Sequence, residues 1–272
     1  VIRVFRLAGF VVVIAVALIC ATLLTVRLVV FPRVEAYRDD LTAMLTRELG
    51  LPVEIDAIGT GWDGWNPKLT VQGFRVRNRG AATDAPPLLE LPTVEMIVAW
   101  TSLSVLDLRL KELVLERPRL AVRRDRAGVL HVAGIEVDPD AVGGNPQVTD
   151  WLLRQPHIYI RDALITWNDD LRNAPQLVLD QVQFRLESRF GRHRFGLRGT
   201  PPAGVAAPID VRGDVRGRSV ADWRQASGKF YVRLDYADIA AWSEWLPLPG
   251  SIASGKGALR MWLDFAGGEV TE

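Results

Sequence analysis

Cysteine occurs once in the 272 residues, as Cys20, so the chain can close no intrachain disulfide and offers no cysteine-based metal cluster. An excess of charge is also missing. Thirty-three basic residues balance 32 acidic ones for a formal net charge of +1, which removes the electrostatic case for nucleic acid as a partner. Lysine is confined to Lys68, Lys111, Lys229 and Lys256, the other basic residues being arginine. Histidine is scarce as well. His131, His157 and His193 stand far apart, none with a ligand-type residue four positions on, so each reads as structural or solvated rather than metal-binding.

Catalytic motifs are absent in the same way. There is no G-x-S-x-G, no phosphate-binding P-loop and no H-E-x-x-H. The acidic pairs Asp39-Asp40 and Asp169-Asp170 are the available carboxylate couples. The first falls in a helical pattern, and the second sits in "NDDLRN", where Asp and Asn favour a turn by bonding their own backbone. The expectation is a protein that is not an enzyme and that uses no cofactor.

One stretch imitates a cofactor motif. "IGTGWDGW" sets Gly59, Gly61 and Gly64 at the spacing G-x-G-x-x-G, which serves a dinucleotide only where a strand feeds a glycine turn that opens a helix. Here "NPKLTVQGFRV" follows, with Pro67 and then strict alternation. No helix begins where a pyrophosphate would need one, so the glycines read as hairpin-turn residues, with Trp62 and Trp65 as packing anchors.

What the chain has in abundance is apolar patterning of two periods. Leu7 to Val26, "LAGFVVVIAVALICATLLTV", carries no charge and as a helix would span roughly the 30 Å hydrocarbon core of a bilayer. The apolar residues continue to Phe31, past the small residues at Ala15 to Ala17, which favours an uncleaved anchor over a signal peptide. Bulky Ile19 before Cys20 argues against a lipoprotein site. The short basic leader with Arg3 and Arg6 is expected to stay cytoplasmic, placing later residues outside the cytoplasm. Residues 32–50 then set Val34, Tyr37, Leu41, Met44, Leu45 and Leu49 on one helical stripe, ended by Gly50 and Pro52. That helix either caps a sheet or lies on the membrane surface.

After Gly50 the period becomes two. Val182, Phe184 and Leu186 alternate with polar residues in "QVQFRLE". Phe230, Val232 and Leu234 do so in "KFYVRLDY", and Leu259, Met261, Leu263 and Phe265 in "LRMWLDF". Each reads as a strand with one apolar and one mostly charged face. "RPRLAVRRD" and "QPHIYIRD" suggest two further β elements of similar make. "RRDRAG" reads as a hairpin tip in water, with anionic lipid as its alternative contact. Helical patterns are limited to "TSLSVL", "TDWLLRQ" and "ADIAAWSEWL", the last capped by Asp238. The fold class expected is mainly β, an antiparallel sheet with short helices.

The basic leader, the apolar segment, the helix ending "RELGLPVEI", then "IGTGWDGWNPKLTVQGFRV" and "SLSVLDLRLKELVLERPRLAVRRDRAGVLHV" resemble the N-terminal region of AsmA-like envelope proteins. "YADIAAWSEWLPLPGSIASGKGALRMWLDF" narrows the resemblance to the YhdP-like branch. The resemblance implies a curled, groove-like sheet at the start of a much longer protein, with the sheet continuing beyond the C-terminus of this chain. It divides the chain into an anchor (1–31), an amphipathic juxtamembrane helix (32–50), an AsmA-like β region (51–136) and a continuing β-sheet region (137–272). It also implies a single pass through the bacterial inner membrane, the bulk of the chain in the periplasm, and movement of phospholipids between inner and outer membrane. The ten apolar residues just named would then line the lipid groove. No catalytic residue carries over from the family. The alternative expectation is an envelope assembly factor with a dry core, whose partners are other envelope proteins.

Overall fold

The structure, a computed structural model, describes residues 10, 13–14, 17–18, 21–22, 24–25, 27–28, 31–80, 85–100, 102, 109–137, 146–217, 226–242, 244–245, 255–267 and 269–270. Eleven of the twenty residues of the expected span Leu7–Val26 lie outside them, as does most of "TSLSVL". Those described between residues 10 and 25 are helical. Among the described residues no helix is long and apolar enough to cross a membrane.

Residues 32–50 form two pieces rather than one helix: a 3-10 helix over Phe31–Tyr37 and an α-helix, α1, over Arg38–Leu49, closed by Gly50 at φ 66°. The left-handed glycine ends the helix where a side chain would be strained. The helical unit is tied to the sheet through polar groups. Ile58 N donates to Glu35 Oε2 (2.7 Å), Arg38 Nη1 to the Asp56 carbonyl (3.0 Å) and Val53 N to Thr46 Oγ1 (3.2 Å). Its apolar stripe is only partly covered: Leu45 and Leu49 are half-buried, while Tyr37, Leu41 and Met44 face solvent.

The alternating segments become strands. The first group is β1 (Val53–Glu54), β2 (Ala57–Asp63), β3 (Asn66–Val76), β4 (Leu89–Val98), β5 (Leu110–Glu116), β6 (Arg119–Arg124), β7 (Leu130–Val132) and β8 (Ile135–Val137). The second group follows helix α2 (Pro146–Arg154): β9 (His157–Asp169), β10 (Leu177–Arg189), β11 (Arg192–Thr200), β12 (Ile209–Arg216), β13 (Ser227–Asp238), the one-turn helix α3 (Ile239–Trp242), β14 (Lys256–Ala266) and β15 (Glu269–Val270). All of these strands join one large curved sheet.

The sheet is mixed, which corrects the antiparallel expectation. Strand β9 runs parallel to β5 (Leu113 beside Ile158) and, further along, to β6 (Leu120 beside Ile165). Parallel neighbours need a long crossover. Here the β7–β8 hairpin and α2 supply it. Alternation records which face a residue takes and is blind to strand direction, so this pairing left no trace in the pattern.

Strand bends occur where non-glycine residues take left-handed backbone. Asp162 (φ 56°) and Gln181 (φ 50°) sit at slips of register between β9, β10 and β11. Such bulges bend a strand and increase its twist.

The core lies under α2. Val94, Leu110, Leu113, Ile158 and Leu186 form the buried cluster, with Trp151, Leu152 and Leu153 of the helix packed on it. Gln155, 2% exposed, fastens the helix end to the sheet. Its Oε1 accepts Leu110 N at 2.8 Å and its Nε2 donates to the Trp151 carbonyl at 2.5 Å. A buried amide is tolerated only when both ends are satisfied in this way.

Candidate functional site

The register of β10 to β14 brings the sequence-predicted lining residues onto one face. Phe184 pairs with Leu197, Leu186 with Phe195, Phe195 with Gly213, and Gly213 with Phe230. Phe230 pairs in turn with Leu263, Val232 with Met261, and Leu234 with Leu259. Val182 lies two residues before Phe184 and Phe265 two after Leu263, so side-chain alternation keeps them on that face.

Four phenylalanines form a row across it. Ring centroids are 6.3 Å apart for Phe184 and Phe195, 5.8 Å for Phe195 and Phe230, and 5.1 Å for Phe230 and Phe265. Gly213 makes the row possible. A Cβ built there would lie 2.2 Å from Phe195 Cε1, so the ring occupies the space a side chain on β12 would take.

The face is not uniform. Val182 and Leu186 are buried, Leu186 within the core under α2. Phe184, Phe230, Val232, Leu234, Met261, Leu263 and Phe265 are half-buried, and Leu259 is 48% exposed. Cover therefore thins from β10 towards β14. The sequence reading omitted Phe195, Leu197 and Val211 of β11 and β12, which share the face by register. A signal existed for the first two: they alternate with Arg194, Gly196 and Arg198.

The opposite face is a lattice of ion pairs. Arg192 Nη2 meets Asp214 Oδ2 at 2.5 Å, Arg212 meets Asp210 at 2.8 Å, Arg233 meets Asp235 at 2.7 Å and Lys229 meets Asp264 at 2.7 Å. Hydrogen bonds from these arginines hold the carboxyls of Asp214, Asp210 and Asp235 below the usual aspartate range. Tyr231 and Trp262 pack at 5.2 Å on the same side. One face is thus wet and fixed in charge, the other apolar.

The remaining candidates are used structurally. Asp169 is 1% exposed and paired with Arg124, and Asp170 with Arg123 at 2.5 Å. Burial by itself would raise the Asp169 carboxyl, but the Arg124 hydrogen bond, the Arg172 amide and both arginine charges hold it below the ordinary value. Arg124, in the expected "RRDRAG" tip, is thereby committed to the β9–β10 turn. His131 bonds Asp125, His193 bonds Ser188 and the Gly217 carbonyl, and His157 approaches the Lys111 carbonyl at 3.4 Å. Among the described residues there is no group of side chains that could hold a metal. The G-x-G-x-x-G stretch is the β2–β3 hairpin, with Gly64 at φ 56° in a two-residue turn. Trp62 stacks on Trp100 at 6.3 Å, but Trp65 is 79% exposed, so its expected role as a packing anchor is wrong. A turn tip projects its side chain beyond both strands, which leaves most of the ring in solvent.

A sequence profile of one family, described as YhdP protein, matches residues 1–272. The chain belongs to the YhdP family. No curated protein and no solved structure matches it. Within this YhdP-family chain the resemblance seen at "IGTGWDGWNPKLTVQGFRV" covers β2 and β3, and that at "YADIAAWSEWLPLPGSIASGKGALRMWLDF" covers the end of β13, α3 and β14.

Proposed function

We propose that this chain is the inner-membrane-anchored, periplasmic end of a conduit that carries phospholipids between the inner and outer membrane along its apolar face. The observation that carries the reading is the patch of half-buried apolar residues Phe230, Val232, Leu234, Met261, Leu263 and Phe265, none of which belongs to the core cluster under α2. An acyl chain of about fifteen CH₂ groups costs on the order of 12 kcal/mol to expose to water at ~0.8 kcal/mol each. A continuous apolar strip replaces the bilayer for those chains. The headgroup stays in solvent at the rim, and movement is diffusion along the strip with no covalent step and no cofactor.

Among the described residues the face is closed beneath helix α2. Helix α2 packs Trp151, Leu152 and Leu153 over β5, β9 and β10, so the lipid strip runs over β11 to β14. A second reading, an assembly factor for envelope proteins, draws on β14, whose outer edge pairs only with the two-residue β15 among the described residues and which exposes Leu259 and Trp262. Sheet edges of this kind accept strands from partners.

The two readings separate on bound lipid. Phospholipid that stays with the purified chain is counted by mass spectrometry, for the wild type and for Val232→Asp. Retention that falls sharply in the variant supports the lipid strip. Equal retention in both leaves the anchor as the lipid-binding part and favours the assembly reading.

A further inference from the structure

We infer that the end of the sheet bearing Trp65 and Phe190 docks on an anionic lipid surface, so that the mouth of the apolar face stands on the bilayer. The inference rests on the proposed membrane anchoring and is separate from lipid uptake by the apolar face.

Strand directions gather several turns at one end. Asp63 pairs with Asn66 at the β2–β3 tip, Val98 with Leu110, Leu113 with Ile158, Arg189 with Arg192, and Arg216 with Ser227. The tip with Trp65, Trp100 after β4, His157 at the start of β9 and the β10–β11 turn with Phe190 therefore lie along the same end.

The N-terminal segment leads to that end. Glu35 is bonded to Ile58 near the start of β2, whereas Leu24 and Arg27 share a cavity with Trp62 and Trp65 at its finish. Traced backwards, the chain runs beside β2 to the tip. The described side chains before it, Phe10, Val13 and Leu18 among them, stay exposed rather than folding back on the sheet. An apolar segment that enters a bilayer from here sets this end against the headgroups.

The surface suits that position. Trp65 is 79% exposed, with its carbonyl held by Trp100 Nε1 at 2.8 Å. Phe190 is 95% exposed and has left-handed backbone (φ 50°), a conformation a bulky side chain seldom adopts. Among the described residues its ring meets the Arg189 guanidinium, 5.2 Å from the centroid, and is otherwise open to solvent. Beside it is a recess of about 1140 Å³ whose lining includes Arg189, Arg192, Arg194 and Arg216 and one carboxylate, Glu187. Arg192 and Arg194 share Asp214, while Arg189 and Arg216 have no carboxylate partner among the described residues. Exposed aromatics beside arginines match the two layers of a membrane interface: acyl boundary for the rings, phosphate for the guanidinium groups. Among the described residues the other end of the sheet lacks this combination of exposed aromatic rings and unpaired arginines. There Asp169 and Asp170 neutralise Arg124 and Arg123, and Trp245 is tied to the Pro175 carbonyl.

The test uses the whole chain in vesicles, with Cys20→Ser and a single environment-sensitive fluorophore on Trp65→Cys, Phe190→Cys or, as the distal control, Leu171→Cys. Nitroxide-bearing lipids should quench the label at 65 and 190 about twofold and leave 171 unchanged, since interfacial groups sit only ~5–10 Å into the boundary. Quenching at 190 should be stronger with phosphatidylglycerol than with phosphatidylcholine alone, and Arg189→Gln with Arg216→Gln should remove that difference. Labels at 65 and 190 as unquenched as 171 overturn the docking, as does quenching indifferent to anionic lipid. A photocrosslinker at Leu263 in the same vesicles reads lipid uptake independently, so docking without uptake, or uptake without docking, tells which inference has failed.

Discussion

Gly213→Ala is the smallest change that probes the phenylalanine row. The added Cβ would fall 2.2 Å from Phe195 Cε1, 2.5 Å from Cζ and 3.0 Å from Cδ1, closer than atoms approach. Phe195 cannot swing freely aside because Phe184 and Phe230 flank it at 6.3 and 5.8 Å. Overpacking of this kind costs about 1–3 kcal/mol. Replacing glycine in an extended strand returns about 0.5–1 kcal/mol of backbone entropy. The net expectation is a loss of roughly 1–2 kcal/mol, which for a domain of this size lowers the thermal midpoint by about 2–8 °C. In a Phe195→Leu background the clash is gone, so the same Gly213→Ala should raise the midpoint. A double-mutant cycle on the detergent-solubilised chain, followed by circular dichroism, measures the coupling. Equal effects of Gly213→Ala in both backgrounds would refute the proposed contact.

Asp169→Asn leaves Arg124 beside a neutral group in a buried corner and is expected to cost about 3 kcal/mol, read from urea midpoints. The sign with pH follows from the depressed carboxyl of Asp169. Its stabilisation is complete above the ordinary aspartate value near 3.8 and is lost as pH falls through the lower folded-state value, so the variant should show a flatter acid limb. Gln155→Ala removes the acceptor of the Leu110 amide and should cost about 1–3 kcal/mol, with hydrogen exchange at that amide accelerated. Val232→Asp should abolish lipid retention while leaving the β signal in circular dichroism, because the residue is half-buried on the uncovered part of the face.

Face assignment was legible from sequence because it depends only on alternation. The ten lining candidates lie on one side of β10, β13 and β14 for that reason. Phe195 and Leu197 alternate with Arg194, Gly196 and Arg198 and could have been read the same way, whereas in β12 Gly213 interrupts the apolar series after Val211. Gly213 acquires meaning only through register, since the ring that fills its place comes from the neighbouring strand. The parallel run of β9 beside β5 and β6 was equally hidden, being a property of the crossover. Trp65 misled in the opposite direction: aromatic residues at strand ends are common packing anchors, but at a turn tip most of the ring stays in solvent. The charged face held a readable clue that went unused. Arg185 and Glu187, Arg212 and Asp210, and Arg233 and Asp235 are all two residues apart, the spacing that sets opposite charges side by side on one face of a strand.

Lipid on the apolar face is tested most directly by photocrosslinking in cells, with the probe at Phe184, Val232 or Leu263 and with Arg185, Arg233 or Arg260 as opposite-face controls, followed by mass detection of adducts. Phospholipid adducts are expected at Val232 and Leu263, weaker capture at Phe184 beside the core under α2, and none at the arginine positions. Adducts confined to the chain itself at Val232 and Leu263 would contradict that expectation, because the face would then be a dry interior and the lipid path would lie elsewhere.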